Sequence, residues 1–123
     1  MIRGRLEDNR ESGMLLSKSS VAEAISCVAK RNGTSGYTVE DNSFLFAGGA
    51  IAEENANGFF ASTDSVISAP NSRAINNKAD GYRAYSFSKI YAVPSVSTGN
   101  GRSAYSPAPL EYANEYSFIK IKN

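Results

Sequence analysis

The sequence contains no histidine, no tryptophan and a single cysteine, Cys27. Without an imidazole there is no Ser-His-Asp triad, no Cys-His dyad and no His-ligated zinc, because each needs a group that titrates or coordinates near neutrality. One thiol closes no intrachain disulfide, and a structural zinc or iron–sulfur cluster needs about four ligands, so no metal is expected. Cys27 is read as a small packed thiol, with only an intermolecular bond open to it. Charge of one sign is also missing. Thirteen Lys+Arg against twelve Asp+Glu leave a net charge of +1, and the basic residues are scattered, which gives no nucleic-acid signature. No apolar run approaches the roughly 20 residues of a membrane span, and Met1 to Arg10 is too charged for a signal-peptide core. A soluble chain without its own export signal is expected.

What is present points to a folding chain. With 123 residues, 41% hydrophobic and 20% charged, one core and one domain over 1–123 are expected. No internal repeat and no linker is evident. Ten glycines and many Ser and Asn suggest substantial irregular structure.

Met1 to Leu6 reads as a short first strand, followed by a polar turn from Glu7 to Gly13. The clearest element is a helix from about Val21 to Arg31. Ser20 and Glu23 form a capping box, Val21, Ala24, Ile25, Val28 and Ala29 fall at helical spacing, and Asn32-Gly33 supplies the stop. Phe44 to Ala47 and Gly58 to Thr63 read as buried strands, and Asp64 to Ala69 as a brief helical turn ended by Pro70. Tyr85 to Val93 alternates as a strand. The Gly/Ser/Pro-rich segment from Pro94 to Pro109 reads as a long irregular loop, and Glu115 to Ile121 as a final strand. Phe59 and Phe60 are assigned to the core, and Arg5 and Arg10 to the solvated surface.

Gly58-Phe59-Phe60-Ala61-Ser62-Thr63-Asp64-Ser65 resembles the aromatic strand running into Ser-Thr-Ser of the cholera and pertussis class of mono-ADP-ribosyltransferase toxins. Tyr85 to Pro94 looks like the long aromatic strand that follows in that family. Ala104-Tyr105-Ser106-Pro107-Ala108-Pro109 is similar to the segment ahead of its catalytic carboxylates, and Asn114-Glu115-Tyr116-Ser117-Phe118-Ile119 falls where its catalytic glutamate opens a strand. The likeness runs from about Gly58 to Ile119. It implies a small α+β fold of two packed, mainly antiparallel sheets with one clear N-terminal helix. The chain stops after the catalytic strand, where relatives carry one more, so a minimal domain is expected.

The resemblance further implies that NAD is the substrate. Arg3 would bind its phosphates or ribose, Ser62 would orient the glutamate or the nicotinamide ribose, and Thr63 would support the strand end. Glu115 would stabilise the oxocarbenium-like species formed as nicotinamide leaves. These residue types suit the chemistry, since a guanidinium recognises phosphate and a carboxylate stabilises developing positive charge. The family's first carboxylate, two residues before the catalytic one, is replaced by Ala113; Glu111 could substitute, and Tyr105 could contact the target. The branch of the family that uses histidine is excluded. The expected function is transfer of ADP-ribose to a host or competitor-cell protein by a bacterial toxin or effector domain, secreted or injected and acting in the target cytoplasm. An NAD glycohydrolase on the same fold, or a non-catalytic interaction or structural module, are the alternatives.

Overall fold

The computed structural model describes residues 4–107 and 117–121. These residues contain strands, turns and bends and no helix. The chain coils into a parallel β-solenoid with three short strands per coil. The first coil holds β1 (Arg5–Glu7), β2 (Met14–Leu16) and β3 (Val21–Glu23). The second holds β4 (Val28–Lys30), β5 (Ser35–Val39) and β6 (Phe44–Phe46), and the third β7 (Ile51–Glu53), β8 (Asn57–Ala61) and β9 (Val66–Ser68). β10 (Ser72–Ile75), β11 (Asp80–Ala84) and β12 (Lys89–Tyr91) follow, then β13 (Ser95–Thr98), β14 (Ser103–Ser106) and β15 (Phe118–Lys120). Corresponding strands pair in parallel into three five-stranded sheets. Sheet I runs β1-β4-β7-β10-β13, sheet II β2-β5-β8-β11-β14 and sheet III β3-β6-β9-β12-β15.

The stack is held by columns of like residues, each one coil from the next. Asn9, Asn32, Asn55, Asn77 and Asn100 form a carboxamide ladder at the corner between sheets I and II. Asn32 N–H donates to Asn55 Oδ1, Asn55 N–H to Asn77 Oδ1 and Asn77 N–H to Asn100 Oδ1, all at 2.9 Å and 23, 22 and 23 residues apart. Ser20, Ser43, Ser65, Ser88 and Ser117 make a second ladder at the entry to sheet III, each backbone N–H donating to the next hydroxyl. Both devices satisfy backbone donors at corners where no strand partner exists. Between Ser88 and Ser117 the step lengthens to 29 residues.

Inside, Tyr37, Phe59, Tyr82 and Tyr105 stack ring on ring, with centroids 4.9, 4.8 and 5.1 Å apart. The spacing is that of parallel strands, so each ring sits over the next as its strand sits beside the next. Across the interior the side chains are small: Ala29, Ala52 and Ala74 from sheet I are fully buried. This lets Tyr37 reach across to donate its hydroxyl to Cys27 O at 2.9 Å. Leu45, Ile67, Ile90 and Ile119 of sheet III close the core.

The expected α+β arrangement of antiparallel sheets is therefore replaced by an all-β, all-parallel one, and the chain is repetitive. The stretch expected as a helix forms β3, a turn and β4. Its apolar residues serve the columns: Ala22 lies beside Leu45 and Ala29 beside Ala52, while Ser26 takes a positive φ of 57° at the bend. Ser20 N–H is bonded to Ser43, as the ladder requires, so the residue read as a helix cap sits at a strand entry. The helical turn expected over 64–69 is β9, paired on both sides. The expected loop from Pro94 contains β13 and β14, in register with β10 and β11. Cys27 is buried as expected. Among the described residues no helix is long and apolar enough to cross a membrane.

Candidate functional site

A solenoid interior this full leaves chemistry to the outer faces. On sheet II the side chains between the buried aromatics point outward. Leu15, Thr38, Phe60, Arg83 and Ser106 are in register and form one row along the solenoid axis. Phe60 thus faces outward, partly covered by its neighbours, and not into the core as expected, although Phe59 beside it is fully buried; a one-residue step along a strand reverses the facing. Beyond the strand ends, Glu40, Ser62 and Tyr85 form a parallel row. Each extends the ladder by donating its N–H to the preceding coil, Glu40 to Leu16 O, Ser62 to Val39 O and Tyr85 to Ala61 O, all at 2.9 Å.

Arg83 is the centre of this face. Its guanidinium carbon lies over the Phe60 ring at 5.4 Å from the centroid and over the Tyr85 ring at 6.0 Å, a cation within reach of two π faces. Its Nε is 4.0 Å from Oδ2 of Asp80, a fully buried carboxylate. Asp80 is in turn gripped by Arg102, through Nε at 3.0 Å and through a shorter bond from the second nitrogen. That bond and the charge of Asp80 raise the Arg102 pKa further above its ordinary range. The planar group of Arg83 is therefore fixed by rings and by charge.

Beside it opens a groove of about 300 Å³, lined by Thr38, Glu40, Asn57 and Phe60 together with Ser12 and Thr34. Ser12 shares hydrogen bonds with Thr34 at 2.9 Å and Thr38 at 2.7 Å, so the hydroxyls form a linked strip. Asn57, which lines the groove, accepts the backbone N–H of Asp80 on its Oδ1 at 3.1 Å. Half-exposed Glu40 makes no ion pair among the described residues.

Of the residues the sequence singled out, Ser62 and Thr63 lie together at the corner leaving β8. Ser62 is mostly buried between Glu40 and Tyr85, and Thr63 is an exposed residue at φ 52° whose carbonyl accepts Asn42 N–H at 2.9 Å. Tyr105 stands elsewhere, as the last ring of the interior stack, with its hydroxyl 2.9 Å from that of Ser95. Arg3, Glu111 and Glu115 lie outside the described residues. The glutamate, serine and arginine found on this side of the solenoid are Glu40, Ser62 and Arg83, one on each of three successive coils. Sequence reasoning missed Glu40 and Arg83, and read Phe60 as core and Tyr85 as a strand residue, because the proximity of the four follows from the repeat. Once Tyr37, Phe59 and Tyr82 are aligned, the residues after them fall into one row.

Among the described residues no group of three or more His, Cys, Asp or Glu is placed to hold a metal ion. Compared with family models, with curated proteins and with solved structures, the chain matches none.

Proposed function

We propose that this chain is a non-catalytic interaction module, a rigid β-solenoid whose sheet II face binds an extended, polyhydroxylated ligand such as an oligosaccharide. The observation that carries this reading is the fixed Phe60–Arg83–Tyr85 cluster alongside the groove of Thr38, Glu40 and Asn57. Aromatic faces offer a platform for the C–H side of a sugar ring, and planar amide, carboxylate and guanidinium groups pair with its hydroxyls. Because successive members of a row are one strand spacing apart, about 4.8 Å, side chains project at regular intervals along the axis, as an extended ligand requires. Their backbone supports are ordered before binding, which limits the entropy lost on association.

The transferase expectation came with an α+β fold that the chain does not have, and three of its residues fall outside those described. The test is calorimetric titration of the protein with neutral and acidic oligosaccharide hexamers, comparing the parent with Phe60→Ala and Tyr85→Ala. Binding that either substitution weakens about tenfold or more supports the module. Absence of binding across the panel, or binding indifferent to both substitutions, rejects it. Nicotinamide release from NAD that Glu115→Gln abolishes would overturn it in favour of the transferase or glycohydrolase.

A further inference from the structure

The outer face of sheet III differs in kind from that of sheet II. Its two outward rows are Val21, Phe44, Val66, Lys89 and Phe118, and Glu23, Phe46, Ser68, Tyr91 and Lys120, flanking the buried row of Ala22, Leu45, Ile67, Ile90 and Ile119. Val21 is 70% exposed, Phe46 42% and Tyr91 37%. Phe44 and Phe46 lie with ring centroids 4.5 Å apart, and Tyr91 meets Phe118 edge-on at 5.7 Å. The charges on this apolar strip are polar in their arrangement. Glu23 stands at the β3 end, Lys89 and Lys120 at the β15 end, and neither Glu23 nor the lysines form an ion pair among the described residues.

We propose that this face is the interface for a second copy of the same chain, related by a two-fold axis parallel to the strands and passing through β9. That operation turns the faces together and reverses the solenoid axis, so the first strand of one copy opposes the fifth of the other. Glu23 then meets Lys120 of the second copy, twice by symmetry. Phe46 opposes Tyr91, Val21 opposes Phe118, Val66 and Ser68 oppose themselves, and Lys89 comes over the Phe44 ring, a cation on a π face. A two-fold along the solenoid axis instead sets like ends together and leaves Glu23 beside Glu23, which charge disfavours.

The area sets the strength. Five strands at about 4.8 Å and a width of roughly 20 Å, corners included, give about 500 Å² per copy and about 1,000 Å² in all. That is the threshold for a specific contact, so the pair is concentration-dependent and not obligate.

Analytical ultracentrifugation of the full chain from about 1 µM to about 1 mM tests it, the upper end reaching the weak affinities that small interfaces give. The expected result is a monomer–dimer equilibrium that Lys120→Glu or Glu23→Lys weakens about fivefold or more, and that the combined Glu23→Lys/Lys120→Glu exchange restores. Phe46→Ser weakens it as well, with circular dichroism unchanged because all three positions are exposed. A parent monomeric throughout overturns the proposal. So does a dimer or open assembly that the single charge reversals leave alone, or one that the exchange fails to rescue.

Discussion

The side chain of Asn55 bridges two coils. Its Oδ1 accepts the backbone N–H of Asn32 at 2.9 Å, and its Nδ2 donates to the carbonyl of Ala29 at 3.0 Å and to Asn77 Oδ1 at 3.2 Å. Asn55 is fully buried and Asn32 nearly so, so removing the carboxamide strands the Asn32 N–H and takes a second bond from the buried carbonyl of Ala29. Each unsatisfied group costs about 1–3 kcal/mol. Asn55→Ala is therefore expected to destabilise by roughly 2–5 kcal/mol in urea denaturation. Asn9 heads the same ladder at its exposed end, where water replaces the lost bonds, and Asn9→Ala should cost about 1 kcal/mol or less. Equal losses at the two positions would show that the ladder is not what holds the corner.

That ladder also explains what the sequence concealed. Asn9, Asn32, Asn55, Asn77 and Asn100 are written plainly in it, as are Gly13, Gly36, Gly58 and Gly81, Ser20, Ser43, Ser65 and Ser88, and Ala24, Ala47, Ala69 and Ala92. Each column repeats at 22 or 23 residues, the mark of a solenoid. It is invisible to a search for helical or strand periodicity, because strands of three to five residues are too short to express a period of two. Between them the corners place apolar residues at spacings that imitate a helix, as at Val21 to Ala29. The strands at Phe44, Gly58 and Phe118 were legible because each carries a compact apolar run. The aromatic-strand likeness from Gly58 onward drew on Phe59 and Tyr105, whose placement the internal stack accounts for.

The glycine column runs where the coil is tightest. A Cβ on Gly58 would come 3.1 Å from both Ala74 Cβ and Asn77 Nδ2, and closer still to the carbonyl of Gly81. The neighbours are backbone and a ladder amide, so none can move aside cheaply. Gly58→Ala is expected to cost about 2–4 kcal/mol, in the manner of overpacking with a broken hydrogen bond added. Gly48 provides the contrast, since its added Cβ would meet nothing nearer than 3.7 Å. Gly48→Ala should leave the unfolding free energy in urea within about 0.5 kcal/mol of the parent.

Alkali should attack the ring stack first. Burial pushes the phenols of Tyr37 and Tyr82 above their ordinary value, and for Tyr82 the hydrogen bond with Ser72 opposes the shift only in part. In the unfolded chain both ionise near pH 10. A folded pKa above the unfolded one contributes stability that is complete below about pH 10 and is lost as the pH rises beyond it. The thermal midpoint is therefore expected to hold up to about pH 10 and then fall, with a shallower fall in Tyr82→Phe. Ultraviolet titration of the native protein should show two phenols resisting ionisation until unfolding. Ionisation of every tyrosine without loss of structure would contradict the buried stack.

Asp80 ties stability to the sheet II face. Its wholly buried carboxylate holds the half-exposed Arg102 and stands 4.0 Å from Arg83, the cation over the Phe60 and Tyr85 rings. Removing Arg102 leaves a buried carboxylate without its principal partner, while solvent around the guanidinium weakens what the pair contributes. Arg102→Ala should lower the urea midpoint. Asp80→Asn keeps the shape and removes the charge, so it should cost about as much while also releasing Arg83 from its tether. The two effects separate in a double-mutant cycle. If stability alone is at stake, Asp80→Asn and Arg102→Ala are strongly non-additive in urea and equivalent in ligand titrations. If Asp80 also positions Arg83, only Asp80→Asn weakens ligand binding at temperatures where both variants stay folded.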